Sequence, residues 1–206
     1  MAIATHEPMV TTSPSGDLDE LLWQAWKAMT PPEGLRAEII RGAIEVSPTG
    51  SRRHGKVANR LRDAFKEHLD ADGAFAAYQD INVIHRGKVY IPDVFVAPED
   101  LDEAPDSEGL GVSVSGVVLV AEIVSPGREA AERDRERKRR AYAEAGIDVY
   151  VIVDDFDGDG TVTVLCHPEA AKSKYRMSMR AVYGTAVTIP EGPLKGFTIG
   201  PEITAS

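Results

Sequence analysis

Three carboxylates and one lysine stand where an ionisable group is costly. Glu122 lies inside the apolar run 117–124, Asp93 follows Pro92 within VYIPDVFVA (89–97), and Glu38 sits on the apolar arm 35–40. A charge buried in such a run needs a partner or a bound ion. Hard cations such as Mg2+ or Mn2+ take carboxylate oxygens and keep water and substrate phosphate as further ligands. Such an ion activates a water and stabilises charge on a phosphoryl oxygen. Lys138, on the charged segment after Glu122, is the candidate to position that water or to neutralise developing charge. Each residue also has a plainer reading. Glu122 could end a strand in solvent, Asp93 could mark a bulge or turn, and Lys138 could pair with Asp134 as an i,i+4 surface couple.

The elements that must position these groups follow from periodicity. Residues 117–124 read as a strand, 129–145 as a helix closed by Gly146, and 149–153 as a second strand. Asp134, Lys138 and Tyr142 fall on one face of that helix. Upstream, Leu18, Leu21, Leu22, Ala25, Trp26 and Met29 recur at helical spacing, and 30–34 ends that helix at two prolines. Residues 35–46 read as a hairpin turning at Arg41-Gly42, and 52–69 as a helix. His54, near its start, is more readily a surface residue or local hydrogen-bond partner than a metal ligand. A strand is expected over 75–84, a turn at 85–88 and a returning strand over 89–97. Pro92 in that strand implies an edge, a bulge or the true start of the segment. The acidic loop 98–115 is expected to border Asp93. Strands over 161–165 and 173–181, with 187–189 pairing to them, lead to a short edge and a loose end. DDFDGDG (154–160) is an acidic turn between strands; without a helix-loop-helix frame it is not a calcium loop.

Composition narrows the functional class. The chain has 206 residues, enough for a sizeable core, and is expected to form one domain over 17–199. Residues 1–16 read as a flexible tail and 200–206 as a C-terminal end. The net charge of −10 excludes a global positive field for nucleic acid, yet residues 128–140 carry seven basic and four acidic side chains. One cysteine, Cys166, excludes an internal disulfide and a cysteine-rich zinc site, and fits a cytoplasmic protein. No run is long and apolar enough for a signal peptide or a membrane span. A Gly-x-Ser-x-Gly elbow, a Walker loop and a dinucleotide fingerprint are all absent.

An ordered set of short motifs carries a resemblance. Ala37-Glu38-Ile39-Ile40-Arg41-Gly42 is followed by Val46-Ser47-Pro48 with His54, then Pro92-Asp93-Val94, then Ala121-Glu122-Ile123-Val124-Ser125-Pro126. Asp134, Lys138 and Tyr142, Ala145-Gly146-Ile147 and the run 149–154 complete it. Over residues 18–199 the chain resembles the Uma-two family of endonucleases, in the restriction-endonuclease-like, PD-(D/E)XK superfamily. The resemblance implies an α/β (α+β) fold with a mixed central sheet flanked by helices. It implies a metal-dependent endonuclease using Mg2+ or Mn2+ on DNA, with a homodimer as the common assembly. Asp93 and Glu122 would hold the metal, and Glu38 would be an additional acidic ligand or orient water. Val124 stands where the superfamily's Glu-x-Lys tripeptide has lysine, and Lys138 matches the lysine that such families supply from the next helix. His54 would contact phosphate at the rim, and Arg52, Arg53 and the outer arginines of 128–140 would engage backbone phosphates. The other reading is a catalytically inactive nucleic-acid-binding or regulatory protein on the same fold.

Overall fold

The chain builds two main sheets with a helix wedged between them. In the computed structural model, residues 14–69 and 73–205 are described. The expected N-terminal tail lies largely outside them; its last residues open α1 (Pro14–Ala28). β1 (Leu35–Ile40) and β2 (Ala43–Pro48) form the expected hairpin. Arg41 at φ 47° and Gly42 at φ 82° make its two-residue turn, where both central positions need positive φ. Ser51 Oγ accepts from the His54 amide at 3.3 Å and caps α2 (Arg52–Leu69).

The strand expected over 75–84 is two strands in two sheets. β3 (Phe75–Tyr78) ends before Asp80 at φ 59°, and β4 (Val83–His85) begins in the other sheet. The returning strand divides likewise into β5 (Lys88–Tyr90) and β6 (Val94–Pro98), with Ile91-Pro92-Asp93 as the crossing. Pro92 cannot donate to a ladder, so the crossing is where a proline costs nothing. β7 (Val112–Ser113) closes the acidic loop by pairing parallel to β4. That loop packs on α1: Glu108 accepts from Trp23 and Lys27, each at 2.8 Å.

β8 (Leu119–Ile123) and β9 (Val149–Asp154) are parallel neighbours, and one continuous helix joins them. It runs as α3 (Arg128–Glu132), a π-helical stretch (Arg133–Lys138) and α4 (Arg139–Ala145). Gly146 at φ 79° supplies the left-handed C-terminal residue. β10 (Thr161–Glu169) and β11 (Lys174–Val182) extend the sheet. β12 (Val187–Thr188) pairs with β13 (Thr198–Ile199) instead of with them. The end is held: α5 (Pro201–Thr204) buries Ile203 and Thr204.

The strand orders are β2-β1-β5-β4-β7 and β11-β10-β9-β8-β6-β3. Both are mixed, so the expected central sheet is two sheets flanked by helices. Strand alternation assigns the faces. On one face of the six-stranded sheet, Val94, Ala121, Ile123 and Val151 pack on Val57, Leu61 and Phe65 of α2. On the other, Phe95, Val120 and Ile152 meet Ala141 and Tyr142 of α4 together with Ile40, Val83 and Tyr90 of the five-stranded sheet. Ile39 and Val89 face away, under Trp23 of α1. α4 therefore lies between the two sheets.

Candidate active site

Register brings the first two carboxylates together. Val94 pairs with Ala121 in the antiparallel ladder of β6 and β8, and the next step along sets Asp93 opposite Glu122. The Ile123 amide confirms the closeness by donating to Asp93 Oδ2 at 2.8 Å. Glu38 arrives from the other sheet on the same face of β1 as buried Ile40. Its Oε1 accepts from the Ile91 amide at 2.8 Å.

The helix supplies the cation. Lys138 Nζ lies 2.9 Å from Glu122 Oε1 and 3.0 Å from Glu38 Oε1. Tyr142, one turn on, donates to the same Glu122 oxygen at 2.5 Å. Glu38, Glu122, Asp134 and Lys138 are each at most 3 % exposed. Lys138 points inward, although Arg137 and Arg139 beside it are only partly buried. The π-helical stretch holds both Asp134 and Lys138; such wide turns gather at functional sites.

This cluster holds more negative than positive charge. Glu38, Asp93, Glu122 and Asp134 face Lys138, with Arg133 bonded to Asp134 at 2.9 Å and His54 Nε2 2.7 Å from Asp93 Oδ2. Burial raises the Glu122 carboxyl well above the usual carboxylate range, and Asp93, Asp134 and Glu38 push it further against the pull of Lys138. Burial raises Asp93 too, opposed by His54, Lys138 and the Ile123 amide. Burial alone would lower Lys138, but Glu122, Glu38, Asp134 and Asp93 outweigh it and raise its pKa. A carboxylate surplus of this kind holds protons or a cation.

The donor set fits a hard dication. Both hydrogen bonds to Glu122 fall on Oε1, and both close contacts of Asp93 fall on Oδ2. Glu122 Oε2 and Asp93 Oδ1 take none of these contacts; Arg36 approaches the latter only to 3.9 Å. The three expected carboxylates do not close into a tight triad. Among the described residues, the group of three whose ligand atoms lie within 4.8 Å of one another is Cys166, His167 and Glu191.

The other expected residues separate. His54 bonds Asp93, and its ring fits because Gly50 has no side chain: a Cβ there would lie 1.8 Å from Nδ1. Arg53 was expected to meet phosphate. Its guanidinium instead grips Asp155 at 3.0 Å through two nitrogens and bonds the carbonyls of Thr204 and Ala205. Arg52 stands exposed on the first turn of α2. The acidic loop bonds to α1, Tyr78 and Asn82 rather than to Asp93.

A groove of about 870 Å3 runs past the cluster, lined by Glu45, Ser47, Ser125, Arg128, Arg133 and Arg137 among others. Glu45 is the cross-strand partner of Glu38, and Arg133 the partner of Asp134, so the groove wall touches the buried charges. Tyr142 as a donor to Glu122, and Asp134 with Arg133, join the site only through the fold. The i,i+4 spacing of Asp134, Lys138 and Tyr142 was the signal for them.

No helix of the described residues is long and apolar enough to cross a membrane. No curated protein matches the chain. Among solved structures, a putative nuclease belonging to DUF820 from Anabaena variabilis superposes with a TM-score of 0.67 at 13% identity, covering 89% of this chain and 97% of that one. That likeness shows a shared fold. The sequence model of the Uma2 family, described as "Putative restriction endonuclease", matches residues 23–199. The chain belongs to the Uma2 family, and by family and fold it is nuclease-like.

Proposed function

We propose that the protein is a divalent-metal-dependent phosphodiester hydrolase acting on DNA. The observation that carries this reading is the convergence of Asp93, Glu122 and Lys138, from a crossing, a strand and a helix, into one cluster with surplus negative charge, Glu122 and Lys138 buried and Asp93 at its partly buried edge. Asp93 and Glu122 would hold Mg2+ or Mn2+, and Glu38 would hold the lysine or a second ion. The ion would supply Lewis acidity and a more acidic water.

The chain's own groups do the rest. Glu38 and Glu122 fix two of the three donor directions of Lys138, leaving one to orient a water or to meet a phosphoryl oxygen. Tyr142 fixes the Glu122 rotamer. His54 holds Asp93 from the α2 side. Arg128, Arg133 and Arg137 in the groove, with Arg52 beyond, would engage phosphates without reading sequence. A homodimer would present one such site to each strand of a duplex.

The test is cleavage of supercoiled plasmid with Mn2+ or Mg2+, beside calorimetric metal titration, on wild type, Asp93→Asn and Glu122→Gln. Metal-dependent cleavage lost in both variants supports the assignment. Unchanged cleavage sinks it. The alternative, a non-cleaving nucleic-acid-binding protein, draws on Lys138 being engaged by two carboxylates at once. Retained duplex binding without cleavage at any metal concentration would favour it.

A further inference from the structure

We propose that Cys166, His167 and Glu191 form a second metal site, one for a zinc-class dication. Their ligand atoms lie within 4.8 Å of one another. His167 Nδ1 is 3.3 Å from Glu191 Oε2, and the His167 amide reaches Glu191 Oε1 at 3.4 Å. Zinc bonds of about 2.0–2.3 Å at tetrahedral angles set ligand atoms roughly 3.3–3.7 Å apart. The present separations, at most 4.8 Å, exceed that spacing by about 1 Å at the widest.

The backbone favours this grouping. Adjacent residues of a regular strand point to opposite faces, which would part Cys166 from His167. His167 stands at φ 59°, a conformation uncommon outside glycine, and it interrupts the alternation there. Glu191 comes from the turn after β12, a separate segment. Cys166 pairs with Val149 in the last rung of the β9–β10 ladder, and Asp148 is the next residue beyond it. Asp148 is raised by burial and by Glu191, which places a further carboxylate within electrostatic reach.

The donor set chooses the metal. Thiolate, imidazole and carboxylate together suit zinc and its neighbours, whereas Mg2+ and Mn2+ prefer oxygen alone. The Cys166 thiol would lose its proton to solvent as the metal–sulfur bond forms. Three protein ligands leave one position for water, and His167 is 45% exposed, so the site opens to solvent. This site is distinct from the carboxylate cluster. Cys166 lies on the α2 face of the sheet and Glu122 on the α4 face. Their ladder partners Val149 and Ile152 are three residues apart, about 10 Å along the strand.

The experiment is Co2+ titration of the full chain, followed by absorbance and then by Zn2+ displacement. A thiolate-to-cobalt charge-transfer band that saturates at one ion per chain and is abolished by zinc is expected. Cys166→Ala should remove the band. His167→Asn, which tolerates positive φ, and Glu191→Gln should weaken binding by at least the roughly tenfold to hundredfold that loss of an outer partner costs. Glu122→Gln should leave the band unchanged, which separates this site from the proposed catalytic one. Absence of the band in wild type overturns the proposal. So does a band whose affinity is indifferent to both His167→Asn and Glu191→Gln; these surface variants decide the matter even if Cys166→Ala fails to fold.

Discussion

Replacing Lys138 by methionine tests the cluster most directly. The side chain keeps its length and apolar stem but loses the charge that lies 2.9 Å from Glu122 and 3.0 Å from Glu38. Both carboxylates are at most 3 % exposed, so water cannot replace the lysine. Removing one partner of a buried ion pair costs about 3–5 kcal/mol, because the remaining charge is left without compensation. In a chain of this size each kcal/mol moves Tm by about 2–4 °C, so a fall of roughly 6–20 °C is expected. The fall depends on pH with a definite sign. The folded-state pKa of Glu122 is raised, so the folded protein binds protons that the unfolded chain has released. Stability therefore drops as pH rises from the ordinary glutamate value through the raised one. Lys138 pulls that value down, so its loss raises it further and the defect should be larger at about pH 8 than at about pH 5.5. Adding Glu122→Gln to Lys138→Met removes the orphaned charge and should recover roughly half of the loss, read as a double-mutant cycle. Thermal unfolding by circular dichroism at the two pH values is the assay. A shift under about 2 °C at both, or no recovery in the double variant, would refute the placement of Lys138 between the two carboxylates.

Glu122→Gln alone should abolish metal-stimulated cleavage while raising Tm at neutral pH, because it removes a surplus buried charge; a lowered Tm would contradict the charge balance. Gly50→Ala should push the His54 ring off Asp93 and lower kcat, with little change in Tm; normal turnover would show that the His54–Asp93 contact is dispensable. Arg53→Ala should free α5 and cost about 1.5–3 kcal/mol in urea unfolding, leaving metal affinity intact. Arg53 holds the Asp155 carboxyl below its ordinary value. The stability from that pair is therefore complete above the ordinary aspartate value of about 3.9 and is lost as pH falls through the depressed one. The Tm gap between wild type and Asp155→Asn should close in acid, and a gap that persists there would deny the ion pair.

The local elements around the site were legible because each has a chemical signature. Arg41-Gly42 marks a turn needing positive φ, the apolar faces of 52–69 and 149–154 mark burial, and Gly146 closes a helix. Glu38, Asp93 and Glu122 stood out because each carboxylate sits among apolar residues. What the sequence hid is long-range. Residues 75–84 read as one strand, and Pro92 marks an edge, a bulge or a start within 89–97, but only tertiary pairing sends each half to a different sheet. Arg53 looked like a phosphate contact because a guanidinium near a helix start is the same whether it meets phosphate or Asp155, 102 residues away. Asp134 looked like a surface partner of Lys138, since spacing shows a shared face but not which way that face turns. Cys166, His167 and Glu191 were invisible as a group because Glu191 belongs to another segment and the kink at His167 has no sequence signature.

The crossing at 91–93 gives the protein two built-in reporters. The Ile91 amide donates to Glu38 and the Ile123 amide to Asp93, so each proposed ligand from a different sheet has a main-chain proton lodged against it. Amide resonances respond to the charge on the oxygen they bond. In a nitrogen–proton correlation spectrum the Ile123 signal should move when an ion occupies Asp93, and the Ile91 signal should move only if Glu38 changes its charge or its hold on Lys138. The pair would then tell from one sample whether one carboxylate or both take part.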